Sequence, residues 1–235
     1  MVLIDGVGPD IEQINAPIKA KHSVFWGVLK DIFLVVFFSF CVFVFINFPA
    51  ITLIGTYKLF PEKLAFEFHR PNQGGTSQSG QETEEAISAP KVEQYPDNMI
   101  FIPKIGVKAP IGWDVGSDQV MESLEKGAVH LRDTDKPGGQ GNIFVTAHSS
   151  NYWWKQGDYN TVFALLSELE ENDEIIITYK GKFYYYRVSG KEEMKKNEVS
   201  NHLRSNVERL MLMTCVPVGT NLKRLLIYAE PEKKE

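Results

Sequence analysis

Cysteine is almost missing from this chain: two occur in 235 residues, Cys41 inside a long uncharged apolar run and Cys215 far away in the remaining sequence. Partners in such different settings cannot meet in one molecule, so an intrachain disulfide and a resolving redox pair are both excluded. With one cysteine outside the apolar run and no His-x-x-x-His, zinc-type ligand spacing is missing as well. Basic runs are also lacking. The 25 Lys and Arg are scattered among 30 Asp and Glu, the net charge is -5, and no block of five cations occurs. A surface that tracks nucleic-acid phosphates is therefore not expected. No Gly-rich phosphate loop and no internal repeat is found.

Charge itself is absent from one long stretch. IFLVVFFSFCVFVFINFPAITLI, Ile32–Ile54, carries no charged residue, and about 20 apolar residues suffice to cross a bilayer. The run exceeds the apolar core of a signal peptide and no small-x-small cleavage site follows, so it predicts an uncleaved signal anchor. Lys19, Lys21 and Lys30 before it nearly balance Lys58, Lys63 and Arg70 after it. The short side is a tail and the long side a domain, so the N-terminus is expected inside the cell and the domain outside. Cys41 then faces lipid, and Cys215 is an unpaired thiol beyond the cytoplasm.

Four regions follow from composition: a tail over 1–31, the span over 32–54, a juxtamembrane segment and linker over 55–96, and a folded domain over 97–235. Tyr57–Arg70 mixes aromatic and charged residues as membrane-surface segments do. Pro71–Pro96 is rich in Gly, Ser, Gln and Glu and reads as a flexible tether. A chain of that kind and length reaches roughly 25–30 Å. On this reading the domain hangs above the membrane.

The domain reads as short β runs between turns: MIFIP, GVKAPIGW, GAVHL, GNIFVTAH, EIIITYKGKFYYYRV, RLMLMTC and LKRLLIYAE, with a tight hairpin at YKGKF. Two brief helices are expected. One is capped by Ser117, buries Val120, Met121 and Leu124 and stops at Gly127; the other places Val162, Leu165, Leu166 and Leu169 at helical spacing. About seven strands with a few short helices predict an all-β, antiparallel-rich barrel or sandwich, behind one transmembrane helix.

A thiol reacts as the thiolate and needs an imidazole to hold or return its proton. Of five histidines, His148 ends a β run where the chain enters a loop, whereas His130 lies inside AVHL, a setting that suits a packed structural histidine. Arg224 stands nine residues after Cys215. If the two runs flanking VPVGTNLK are adjacent antiparallel strands, thiol and guanidinium meet at one sheet end, where the guanidinium can bond an oxyanion. The Tyr152-Trp153-Trp154 cluster suits either a peptide groove or core packing. The rival to an enzyme is a membrane-tethered β-barrel peptide-binding module in which Cys215 is an inert small residue.

NMIFIPKIGVKAPI, KGAVHL, GNIFVTAHSS, VFALLSELEENDEIIITYKGKFYYYRV and LMLMTCVPVGTNLKRLLI, in this order over Asn98–Ala229, resemble the sortases, membrane-anchored cysteine transpeptidases of Gram-positive-type cell surfaces. The resemblance implies an all-β closed barrel of about 7–8 strands with a few short helices, with Cys215 as nucleophile, His148 as acid and base, and Arg224 as substrate and oxyanion stabiliser. Thr214 matches the motif threonine, and Thr214, His130, Trp153 and Trp154 are the expected substrate contacts. It further implies a sorting signal of the Leu-Pro-x-Thr-Gly kind on secreted proteins and an acceptor amine on a cell-wall precursor or pilin. No cofactor is implied; some sortases depend on calcium, and no carboxylate cluster here is assignable to it. The chain departs from the family at Met211-Leu212-Met213 before Thr214-Cys215 and at Ala147 before His148. It resembles housekeeping or pilus-type members in its short Cys-to-Arg connection, yet has no Asp-Pro-aromatic lid tripeptide.

Overall fold

The computed structural model describes residues 19–71, 95–151, 155 and 157–232. Two compact units emerge, residues 1–45 and 46–235. Helix α1 (Lys19–Ile46) contains the apolar stretch Phe25–Ile46, which is long and apolar enough to cross a membrane. The expected span thus shifts toward the N-terminus. Pro49 is the reason: it has no N–H to give the carbonyl four residues back and its ring collides there, so α1 stops and a new helix, α2 (Phe48–Leu59), begins with Pro49 in its first turn.

Helix α2 belongs with the β domain. Ala50 and Tyr57 are buried, and Leu53, Ile54 and Tyr57 pack on the main core. These positions recur at the three- and four-residue intervals of one helical face. Beyond a single 3₁₀ turn at Pro61–Lys63, the chain lies along the barrel wall. Leu64 packs on the same core, and the Phe66 amide donates to the Pro103 carbonyl at 3.2 Å. Phe68 stacks on Tyr95 with ring centroids 4.3 Å apart. Arg70 pairs with Glu174 and, at 2.7 Å, with Glu232. The segment expected at the membrane surface is therefore also part of the barrel's wall. Most of the expected Pro71–Pro96 tether lies outside the described residues.

Eight strands close a barrel, as the sequence predicts: β1 (Met99–Ile102), β2 (Val107–Val115), β3 (Ala128–Leu131), β4 (Asn142–Thr146), β5 (Glu174–Tyr179), β6 (Lys182–Met194), β7 (Arg209–Val216) and β8 (Lys223–Pro231). Their order around the barrel is β1-β2-β3-β4-β7-β8-β6-β5. Only β2–β3 and β4–β7 are parallel. Lys180 and Gly181, with φ 50 and 69, form the two-residue turn between β5 and β6. Both positions are left-handed, the geometry that matches strand twist in a tight hairpin.

Both predicted helices shrink. Ser117 makes no cap; α3 (Val120–Ser123) follows a turn in which the Gln119 amide bonds the Gly116 carbonyl, and Met121 is exposed rather than buried. Residues 158–165 form turns ending in a 3₁₀ turn at Leu166–Glu168. Two contacts divert them from a helix. The Phe163 amide donates to the His148 carbonyl at 2.9 Å, and the Asn160 side chain donates to the Lys155 and Gly157 carbonyls. Local side-chain bonds of this kind compete with the helical ladder.

Alternation along the strands separates two faces. Ile143, Val145, Leu210, Leu212, Leu225 and Ile227 fill the interior. Phe144, Met211 and Leu226 form a second cluster on the outer face, covered by Met194, Val199 and Leu203. Val199 comes from a 3₁₀ segment at Lys196–His202.

Each large apolar side chain buried contributes about 1.5–3 kcal/mol. A fragment beginning at Tyr95 exposes the sockets of Tyr57, Leu64 and Phe68. Compared with one beginning at Asn47, it should melt at least about 5 °C lower, since 1 kcal/mol shifts a domain of this size by roughly 2–4 °C. Differential scanning calorimetry of the two fragments checks this.

Candidate active site

Strand β7 is paired on both sides. Its parallel register with β4 reaches Thr146 opposite Met213, and the Ala147 amide then donates to the Met213 carbonyl at 3.3 Å. The Thr214 hydroxyl donates to the Ala147 carbonyl at 3.0 Å, and the Thr146 hydroxyl donates to the Met213 carbonyl at 3.1 Å. His148 and Cys215 are the second residues beyond Thr146 and Met213. On the other side Cys215 is directly opposite Arg224. All three share the parity of Phe144, Met211 and Leu226, so they belong to the outer face, at the strand ends.

The surrounding contacts hold this row. Cys215 is a free thiol, half-buried. Arg224 is buried, and its Nη1 donates to the Asn221 carbonyl at 3.3 Å and the Lys223 carbonyl at 3.0 Å. Those bonds use carbonyls of the connecting loop and leave its other N–H groups without a bond among the described residues. Within that loop the Gly219 amide donates to the Ser150 hydroxyl at 3.0 Å, which ties the loop after His148 to the loop between thiol and guanidinium. Gly219 has φ 84, and a Cβ there would lie 2.5 Å from Asn47 Oδ1. Only glycine fits. The Val216–Pro217 peptide is cis.

His148 is half-buried, and burial holds its imidazole below the ordinary histidine value; Glu125 opposes this and Lys155 adds to it. Glu125 and Lys155 also pair with each other at 2.7 Å. The resting imidazole is therefore neutral at and above neutral pH, able to accept a proton.

Of the other expected contacts, Thr214 is buried and its hydroxyl is engaged with Ala147, which makes it a strut under the site. His130 is fully buried: the Asp114 amide donates to Nδ1, Nε2 lies 2.8 Å from the Asp135 carbonyl, and Trp113 packs on the ring at 4.9 Å. No face of it is open to a substrate, so it is a structural core histidine. Burial, the largest influence, keeps it neutral. Trp153 and Trp154 lie outside the described residues. Among the described residues no three His, Cys, Asp or Glu side chains cluster as metal ligands. Ser150, Glu125 and Lys155 were not singled out from sequence. The SS pair after His148 is a signal for the first; Glu125 and Lys155 carry no comparable sequence signal.

Comparison with known proteins bears on the family and the fold. The sortase domain model matches residues 100–232, more than half of the chain. The chain belongs to the sortase family. Sortase D of Bacillus subtilis strain 168 is 30% identical over 173 residues, covering 72% of this chain and 79% of the relative. Among solved structures, sortase C-1 from Actinomyces oris is 26% identical with a TM-score of 0.50, covering 58% of this chain and 73% of that one. A lid mutant of sortase A from Corynebacterium diphtheriae is 25% identical with a TM-score of 0.50, covering 62% and 75%. The protein is thus a cysteine transpeptidase on a sortase barrel, not a non-catalytic binding module.

Since Glu125 favours the imidazolium and Lys155 disfavours it, Glu125→Gln should lower the midpoint of His148 titration and Lys155→Met should raise it. NMR titration of the His148 ring in the detergent-solubilised chain reads both shifts.

Proposed function

We propose that this sortase cleaves a C-terminal sorting signal of the Leu-Pro-x-Thr-Gly kind on secreted proteins and transfers the new carboxyl end to an amine at the cell surface. The register that sets Cys215 opposite Arg224, with His148 next along the row, carries the reading. The helix Phe25–Ile46 serves as the anchor, with the N-terminus in the cytoplasm and the barrel outside.

In the proposed reaction the Cys215 thiolate attacks the threonyl carbonyl and forms a carbon–sulfur bond. Arg224 donates to the oxyanion through its unengaged N–H groups. The tetrahedral intermediate collapses as the carbon–nitrogen bond breaks, and His148, protonated when the thiolate formed, gives its proton to the leaving amine. A cell-wall precursor amine or a pilin lysine then attacks the thioester; neutral His148 removes a proton from it, and Cys215 departs as thiolate. Water in place of the amine gives hydrolysis. Thr214 acts by position, since its bond to Ala147 holds the strand ends that carry His148 and Cys215 together.

Peptide cleavage should vanish in Cys215→Ala. Arg224→Ala should lose about 10²–10³ in turnover, the typical worth of an oxyanion donor. Because Arg224 is buried, Arg224→Lys is the companion: it keeps a cation and the fold but loses the planar fork, and should remain strongly impaired. Near-normal turnover in a folded Arg224→Lys or Arg224→Ala variant contradicts the role.

A further inference from the structure

The apolar sequence after the span does two jobs. Ala50, Leu53, Ile54 and Tyr57 face the barrel. The outward side of α2 is also largely apolar: Phe48 is 59% exposed, Leu59 73%, and Ile51 is exposed between them beside Thr52 and Thr56, with Phe60, 44% exposed, just past the helix end. A surface helix normally turns charged and polar residues outward, and one that turns large apolar side chains outward as well as inward has a second apolar surround. The chain itself indicates which. Helix α1 ends at Ile46 and α2 starts at Phe48, and two residues span at most roughly 7 Å. The headgroup layer on each side of a bilayer is about 5–8 Å deep. If Phe25–Ile46 crosses the membrane, Phe48 cannot leave that layer.

The far side of α2 gives no release. Residues 53–70 are fastened to the barrel by Leu53, Ile54, Tyr57, Leu64 and Phe68. The stretch 72–94 starts just beyond Phe68 and ends at Tyr95, and those two rings stack at 4.3 Å. Its two ends are held together on one wall, so it adds no distance between membrane and barrel. At the other end, Asn47 is buried against Gly219 of the Cys215–Arg224 loop.

We propose that α2 is an interfacial helix: its outward face, Phe48, Ile51, Leu59 and Phe60, lies in the headgroup and upper acyl region of the bilayer while its inward face docks the barrel. The occupant of this exposed face is lipid. Lys63, stacked over Phe60 at 4.2 Å, supplies a cation at the water side, as interfacial segments do. The barrel is consequently held at the membrane surface through α2. The site then works at the bilayer surface and serves substrate segments that emerge from the same membrane, instead of hanging roughly 25–30 Å above it on a tether. This inference rests on the reading of Phe25–Ile46 as a span and makes no use of the catalytic assignments.

The test uses the full chain in Cys41→Ser/Cys215→Ser background, reconstituted in phosphatidylcholine–phosphatidylglycerol vesicles. Single cysteines replacing Phe48, Ile51 or Leu59 carry an environment-sensitive fluorophore; one replacing Lys180, at the β5–β6 turn, is the control. The three α2 labels should be quenched several-fold more by lipid carrying a shallow acyl nitroxide than by aqueous iodide, and the control the reverse. Iodide quenching of the α2 labels in a chain that resists alkaline extraction overturns the proposal alone. Alkaline extraction of the whole protein overturns the span reading and the proposal with it. A protease site placed at residues 76–80 gives a second measurement: after cutting, the barrel should still sediment with the vesicles, and its release overturns the seating.

Discussion

The site rests on the double pairing of β7, held on one side by β4 in parallel and on the other by β8 in antiparallel register. Each pairing alone leaves a reacting group free to slip. A one-residue slip would turn Cys215 into the apolar interior that Leu210 and Leu212 occupy, because side chains alternate with a period of two. The buried Leu210, Leu212, Ile143 and Ile227 make such a slip costly. Core packing thereby sets the geometry of the candidate site at the strand ends, and the Thr214–Ala147 bond continues the β4–β7 tie past the last paired residues.

A parallel pairing needs a long crossover, and the one joining β4 to β7 carries much of the domain, including β5 and β6. Its first stretch holds the His148 loop against residues 160–163, and its last covers the outer face with Val199 and Leu203. Along β4, β7 and β8 the outer face is thus closed over Phe144, Met211 and Leu226 and reaches the candidate site at Cys215. Helix α2 adds a further constraint through Asn47 and Gly219, where space allows no side chain on the loop residue. In the proposed seating, membrane attachment and site geometry share one segment of chain.

Much of this was legible in the sequence because it depends on local signals. Each of the eight strands was visible as an apolar or alternating run, and the Lys180–Gly181 turn followed from its residue types. The opposition of Cys215 and Arg224 followed from a short connection between two such runs. What was not legible depends on contacts distant in sequence. The turns after Asp158 looked helical because Val162, Leu165, Leu166 and Leu169 have the right spacing, but the Phe163 amide is taken by His148. The apolar run Ile32–Ile54 read as one span because composition does not reveal that its last third meets a protein surface on one side. His130 and Thr214 carried chemical groups of the right kind, yet burial engages both in support of the fold.

The central claim is that the row His148, Cys215 and Arg224 forms an acyl-transfer site with Cys215 as the bonding atom's residue. Intact-protein and peptide mass spectrometry after incubation with a library of sorting-signal peptides, without an amine acceptor, tests it most directly. The account predicts an acyl adduct that maps to Cys215, is absent from Cys41, is discharged by added amine, and does not form in His148→Ala. A fully folded enzyme that cleaves such peptides with no adduct on Cys215, or with the acyl group on another residue, would contradict it.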